Sequence, residues 1–460
     1  MAPQSIKRKS TQALRVVHAD AAGIDLGSMM HAVCCPPDED GSINVREFPS
    51  DTLSLEALAD WLSSRGVTSV AMESTGVYWI PLFELLVGRG FDVVLVDTRT
   101  LSRVPGRKTD ILDCQWIQQL HACGLLRGAF RPGEDIVRFR ALARLKRTVV
   151  REQADWQRRM QKELDQMNVR VHRAVADITG VTGLAMLHAI VEGERDPAKL
   201  AALRDKRCRL DAASMQRELT GTWREEHLQS LAIGLKTYEF LSERIEELDG
   251  LIMPLLDSFR AKAQRQGVPA PEPAKAGKAR TMRGRGQEPM RQALYGMCGC
   301  DLTRIDGVSV ETAQTVLSEV GCDLSKFETE KQFISYLRFA PSTAISGGKP
   351  VRKNSRKLLG CSRVREALRM AALAVRPSRT ALGAYYRNIA FRKGANVAVF
   401  ATARKIAQHI YRMLRYGADY VDAGLDAYEE RCRERRIRNL KNNAKNLGYT
   451  LTPCEAAADA

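Results

Sequence analysis

Two aspartates, Asp110 and Asp113, open a helix-like run directly behind a basic loop that extends from Arg103 to Lys108. At positions i and i+3 both carboxylates fall on one helical face. Acids in a first helical turn also complement the helix dipole, so the pair by itself reads equally well as a capping device. Two acids upstream shift that balance. Asp25 sits in Ala22-Gly-Ile-Asp-Leu-Gly27, and Glu73 ends the short apolar run Val67-Thr-Ser-Val-Ala-Met-Glu73, which Ser74-Thr-Gly76 halts. A carboxylate in a buried strand is costly unless it is paired or holds a metal. Carboxylates presented by three strand or helix ends point to one oxygen-lined pocket for hard divalent cations.

A second constellation lies far downstream. Tyr336-Leu-Arg-Phe-Ala-Pro-Ser-Thr-Ala-Ile-Ser-Gly-Gly-Lys349 carries two serines, Ser342 and Ser346, in a Gly-rich loop. Cations follow at Lys349, Arg352, Lys353, Arg356 and Lys357. Such a loop brings backbone amides and positive charge up to a phosphodiester. No histidine flanks it, so a Ser/His/Asp triad is not the arrangement. Arg99, Arg103, Arg107 and Lys108 supply positive charge just ahead of the aspartate pair, and Arg404 stands off the apolar face of a late helix. These are the candidate nucleic-acid contacts.

The whole chain agrees with a polyanionic partner. Its 460 residues carry 71 Lys and Arg against 54 Asp and Glu, a net charge of +17. A surplus of that size favours nucleic acid over a membrane surface, through long-range attraction and counterion release. No apolar run is long enough to span a bilayer, and the polar start does not read as a signal peptide, so a cytoplasmic protein is expected. Eleven scattered cysteines, clustered only at Cys34-Cys35 and Cys298-Gly-Cys300, lack zinc-site spacing and read as reduced thiols. The seven histidines are dispersed and receive no catalytic part.

The elements that must position these groups follow from periodicity. Strand-like runs at 14–18 with 22–26, 31–35, 43–48, 68–73 and 92–96 interleave with helical runs at 53–65, 78–89 and 109–122. That order predicts a mixed α/β sheet with helices on its faces, where ligands sit at the carboxyl ends of central strands. From Leu142 to Ile178 and from Leu228 to Phe259 apolar residues recur at three or four, which predicts two long helices pairing as an antiparallel arm or oligomerisation coil. The sequence between them reads as irregular. Basic residues on the first helix (Arg140, Arg144, Lys146, Arg147, Arg151) are either phosphate contacts or a solvated face. The Pro- and Arg-Gly-containing stretch 262–297 reads as a flexible basic linker, and the Arg/Lys/Asn-rich tail from Glu429 to Lys445 as a nucleic-acid-contacting or disordered extension.

Gly23-Ile-Asp-Leu-Gly27, Met72-Glu-Ser-Thr-Gly-Val-Tyr-Trp79 and Lys108-Thr-Asp-x-x-Asp113 resemble the signature of the DEDD-type insertion-sequence transposases, the insertion-sequence 110 family. Leu302 to Gly321 resembles the helix-hairpin-helix that opens that family's C-terminal domain, with Ser309 where a second glycine is preferred. The serine loop resembles the family's Leu-x-x-x-Pro…Ser-Gly-Gly-Lys segment. The resemblance covers about 14–130 and 298–420. It implies an RNase H-like (RuvC-like) N-terminal domain over 14–132 behind a basic arm at 1–13, and a helical coiled-coil region at 133–261. After the linker it implies a mainly α-helical C-terminal domain at 298–425 and a basic tail at 426–460.

For function the resemblance implies a DNA transposase/recombinase. Asp25, Glu73, Asp110 and Asp113 would hold Mg²⁺ or Mn²⁺, and Ser346 would be the nucleophile, with Ser342 its neighbour and competitor. The implied partners are double-stranded DNA at the element ends and target, and a structured noncoding bridge RNA. A homo-oligomer, dimer or tetramer, would draw acids and serine from different subunits. Two other classes stay open at this point: a metal-dependent nuclease or Holliday-junction resolvase using the four acids and water, and a non-enzymatic DNA-binding protein.

Overall fold

The computed structural model describes residues 15–38, 41–74, 76–96, 110–126, 128–129, 131, 133–206, 208, 210–265, 287–340, 344–346, 349–351, 362–417, 424–450 and 452. The chain divides into two compact units, Met1–Arg131 and Pro132–Ala460.

The first unit is built on a five-stranded sheet of order β3-β2-β1-β4-β5, with β1 Ala21–Leu26, β2 Met30–Cys35, β3 Asn44–Pro49, β4 Ser69–Glu73 and β5 Asp92–Val96. The first three strands form an antiparallel meander, and β4 and β5 add to β1 in parallel. Helices α1 (Thr52–Ser64) and α2 (Trp79–Gly88) cover one face and α3 (Asp110–Ala122) the other. Strand alternation sorts the residues. Ile24, Val33, Val70 and Met72 pack with Leu58 and Leu62 of α1 and Leu82 and Leu86 of α2, all with no exposed surface. Each such side chain contributes about 1.5–3 kcal/mol of burial. The opposite face carries small residues (Gly23, Ala32, Cys34, Ala71), and α3 lies on them through Cys114 and Ile117. A Cβ on Gly23 would stand 2.2 Å from the Gln118 nitrogen and 2.5 Å from the Cys114 carbonyl oxygen. The glycine is what lets the helix backbone settle directly on the strand.

Residues 15–18, read above as strand, do not join the sheet. Val16 and Val17 are exposed, and the amides of Val17 and His18 donate to the Ala122 carbonyl at 2.7 and 3.0 Å. The β-branched pair is consumed by the end of α3 and not by a strand neighbour.

The second unit is helical. Its two longest helices, α4 (Glu134–Gln166) and α9 (Glu225–Arg265), lie antiparallel. Lys146 pairs with Asp249, Gln153 Nε2 donates to Ser242 Oγ at 2.7 Å, and His227 Nδ1 meets Glu163 Oε2 at 2.7 Å. The sequence between them is not irregular. It forms α5 (Val171–Ala174), α6 (Val181–Val191), α7 (Pro197–Ala202) and α8 (Ala212–Leu219). Their Met186, Leu187, Ile190, Leu200, Met215 and Leu219 close a core with Met160, Leu164 and Leu231. Such helices are too short to show a period, although Asp196 and Asp211 cap two of them.

The expected linker is also shorter at both ends. α9 continues to Arg265, and α10 (Glu288–Cys298) is a helix with Met290, Ala293, Leu294 and Met297 buried, packed against α9. Residues 266–286 lie outside the described residues. A 3-10 turn, Leu302–Arg304, leads to α11 (Val310–Val320) and α12 (Glu330–Tyr336). A hairpin follows, β6 (Ala344–Ser346) with β7 (Lys349–Val351), then α13 (Ser362–Ala374), α14 (Ala381–Lys393) and α15 (Ala395–Tyr416). Val399, Ala403, Ile406, Ile410 and Met413 of α15 are buried. The tail is ordered helix as well: α16 (Gly424–Asn446) lies against α14, with the Tyr385 and Tyr428 rings edge to face at 6.3 Å.

Candidate active site

Parallel pairing of β1 with β4 sets Ile24 opposite Met72 and so carries Asp25 and Glu73 to the next step, at the carboxyl ends of neighbouring strands. Ile24 and Met72 face α1 and α2, so alternation turns Asp25 and Glu73, both half-buried, toward the face covered by α3. The end of β4 is tied down by Ser74, whose amide and hydroxyl donate to the Val96 carbonyl at 2.9 and 3.0 Å.

α3 runs antiparallel to β1. Gln118 Nε2 donates to the Ala21 carbonyl at 3.1 Å, and the Cys114 carbonyl lies over Gly23. Asp113 directly precedes Cys114 and Asp110 lies one turn further back, so the backbone of the first turn of α3 comes to the end of β1 where Asp25 stands. The Cys114 thiol registers that neighbourhood. Burial above all, with Cys34 beside it and the Asp25 charge nearby, pushes it up to about 12.

The ends of β1 and β4 and the start of α3, each bearing an acid, thus come together at one end of the sheet. Asp113 is half-buried, and the Asp110 side chain lies outside what is described. Among the described residues no three His, Cys, Asp or Glu gather closely enough to hold an ion. The donor chemistry nevertheless suits a hard divalent cation, since the acids offer carboxylate oxygens.

Ser346 ends β6 and its backbone stands in register with Lys349 on β7; what their side chains do lies outside what is described. Ser342, Arg352, Lys353, Arg356 and Lys357 lie outside the described residues, as do Arg99, Arg103, Arg107 and Lys108. Arg404 is half-buried on α15, beside the Tyr385 ring. In the segment resembling a helix-hairpin-helix, Gly307 adopts φ 82° where a Cβ would meet the Ala371 carbonyl at 2.4 Å. Ser309 caps α11 by accepting from the Thr312 amide at 3.1 Å, which gives its hydroxyl a use at the second glycine position.

The basic cluster on α4 is engaged in ion pairs and carbonyl contacts, although Arg151 and Arg144 keep much of their surface in solvent. Arg144 forks onto Glu319, and Arg140 donates to the carbonyls of Ser318 and Glu319 at 3.2 and 2.5 Å. Arg147 and Arg151 share Glu366 at 2.7 and 2.9 Å. These residues fasten α4 to α11 and α13. Glu319 and Glu366 gave no local sign of that work, because their partners lie far away in sequence.

A mixed sheet of this order, with carboxylates at the ends of its central strands and a mostly helical remainder, fits an RNase H-like DEDD transposase domain. Two family profiles agree. The DEDD profile of IS110, described as Transposase, matches residues 22–169, and that of the Transposase IS116/IS110/IS902 family matches residues 301–387; together they span just over half of the chain. The chain belongs to the IS110 family of transposases, and it is an enzyme, a DNA transposase/recombinase. The DEDD-type domain implies dependence on a divalent metal. No curated protein matches the chain. Among the described residues no helix is long and apolar enough to cross a membrane.

Proposed function

We propose that this transposase cleaves and rejoins double-stranded DNA at element ends and target through a covalent seryl–DNA intermediate on Ser346. Asp25, Glu73, Asp110 and Asp113 hold Mg²⁺ or Mn²⁺ in this reading, and a structured bridge RNA selects the DNA. The observation that carries the metal site is the arrival of Asp25, Glu73 and the first turn of α3 at one edge of the sheet. A bound divalent cation would supply Lewis acidity at the scissile phosphate and ease loss of the serine proton.

The chain's own groups do the rest. The Ser346 hydroxyl forms the new P–O bond while a bond to one sugar oxygen breaks, and that sugar leaves as a hydroxyl. Attack by another sugar hydroxyl reverses the step and frees the serine. Lys349, Arg352 and Lys353 balance the charge on phosphorus, with Arg356 and Lys357 beyond them. The serine loop offers no base. The acids are the activating group, supplied by the same or another subunit of a dimer or tetramer; the paired α4 and α9 serve as its arm. A net charge of +17 supports a second polyanion besides DNA.

Trapping of protein–DNA adducts during cleavage tests the reading. The wild type should leave an adduct that Ser346→Ala lacks. Cleavage with no adduct at all would favour the resolvase alternative. Adduct formation by Ser346→Ala at the wild-type rate would move the nucleophile, with Ser342 next in line.

A further inference from the structure

α14 and α16 run side by side in the same direction, Tyr385 against Tyr428 and Asn388 Nδ2 at 3.8 Å from Cys432 Sγ. Between them lies a groove of about 680 Å³, lined by Arg387 and Phe391 from α14 and by Tyr428, Arg433 and Arg436 from α16, with Glu430 as its acid. Three guanidiniums against one carboxylate leave it strongly cationic. Arg387 is anchored, donating to the carbonyls of Arg376 and Ser378 at 2.9 and 2.7 Å, while its charge has no acidic partner among the described residues. Arg433 and Arg436 have no ion pair among the described residues either.

Phe391 is the telling residue. It is 94% exposed, at a position one helical turn beyond Arg387. An aromatic ring left in water beside these cations has a natural occupant. Successive nucleobases stack on such rings while arginines follow the phosphates, and this works for an unpaired strand because its base faces are free. A duplex hides those faces in its own stack and would leave the ring without a partner. α16 also lies beyond both stretches that the family profiles match.

We infer that the groove between α14 and α16 binds an unpaired nucleic-acid strand, with a base on Phe391 and phosphates on Arg387, Arg433 and Arg436. The inference needs neither the metal site nor the serine, so its test runs in chelator without cleavage. Full-length protein is photocrosslinked to 12-nucleotide oligo-dT and oligo-U strands carrying 5-iodouracil, and the adducts are mapped. Adducts on Phe391 or Tyr428 with either strand support the groove, and the preferred strand tells whether the source is RNA or melted DNA. Adducts confined to other segments overturn it.

Phe391→Ala should weaken single-strand binding about tenfold with duplex affinity unchanged, and Phe391→Trp should retain it. Equal weakening of duplex and single strand, or none, counts against the inference. The double change Arg433→Gln with Arg436→Gln should reduce the salt slope of single-strand binding by about 0.7 per charge removed. An unchanged slope would overturn the phosphate assignment. All three side chains are exposed, so these variants should melt like the wild type.

Discussion

Arg144 and Glu319 meet fork to fork, Nε on Oε1 at 2.8 Å and Nη2 on Oε2 at 2.7 Å, across 175 residues of chain. Glu319 is 7% exposed, and Arg140 and Arg363 stand within 3.8 and 3.9 Å of its carboxylate. Burial works to raise its pKa, but the three guanidiniums outweigh burial and hold the carboxyl below the usual glutamate range. Removing the charge leaves the partly buried Arg140 without its counter-ion, while Arg144 and Arg363 are exposed enough to turn to solvent, so Glu319→Gln should cost about 1–3 kcal/mol. Thermal or denaturant unfolding of the full-length variant measures it.

The same pair predicts a pH dependence. A depressed folded pKa means that the ion pair's contribution is complete above the ordinary glutamate value, about 4.3, and is lost as pH falls through the lower folded value. Wild-type stability should therefore fall more steeply below about pH 4.3 than that of Glu319→Gln. Parallel acid limbs for the two proteins would contradict the pairing.

Gly23→Ala should disturb the acids without touching one. The added methyl meets helix backbone at 2.2 and 2.5 Å, so α3 must lift from β1 and carry Asp110 and Asp113 away from Asp25. Overpacking of this kind costs about 1–3 kcal/mol. The expected result is a lower Tm together with loss of DNA cleavage, and wild-type cleavage would show that the close approach is dispensable.

In the proposed metal site the four carboxylates would repel one another until cations arrive. Asp25→Asn, Glu73→Gln, Asp110→Asn and Asp113→Asn should each abolish strand cleavage while the fold persists. Mg²⁺ or Mn²⁺ should raise the Tm of the wild type more than that of any variant. Full activity in excess chelator would sink the metal site.

The acids and Ser346 lie in different compact units. An Asp110→Asn protein mixed with a Ser346→Ala protein should regain part of the activity if subunits share a site, and Ser346→Cys should retain a trace. Failure of every mixture would assign the reaction to one chain.

A discrete RNA, encoded beside the gene, should copurify with the protein and leave as salt rises, as phosphate-dominated binding does. Heterogeneous RNA, exchanging equally with any competitor, would count against guidance.

The sequence by itself determined what a turn or a strand can encode. Strand-like runs marked β1 to β5, apolar steps of three or four marked α4 and α9, and the halted run at Ser74 set Glu73 at a strand end. Tertiary structure decided what depends on partners distant in the chain. Val16 and Val17 have strand chemistry, but the Ala122 carbonyl claims their neighbourhood and no strand pairs with them. Arg140, Arg144, Arg147 and Arg151 look like a solvated or phosphate-binding row until Glu319 and Glu366 arrive from the far side of the helical unit. Gly23 looks like one more motif glycine until the Gln118 backbone rests on it. Propensity and capping act within a few residues, whereas ion pairing, close packing and the grooves between helices exist only once segments a hundred or more residues apart are brought together.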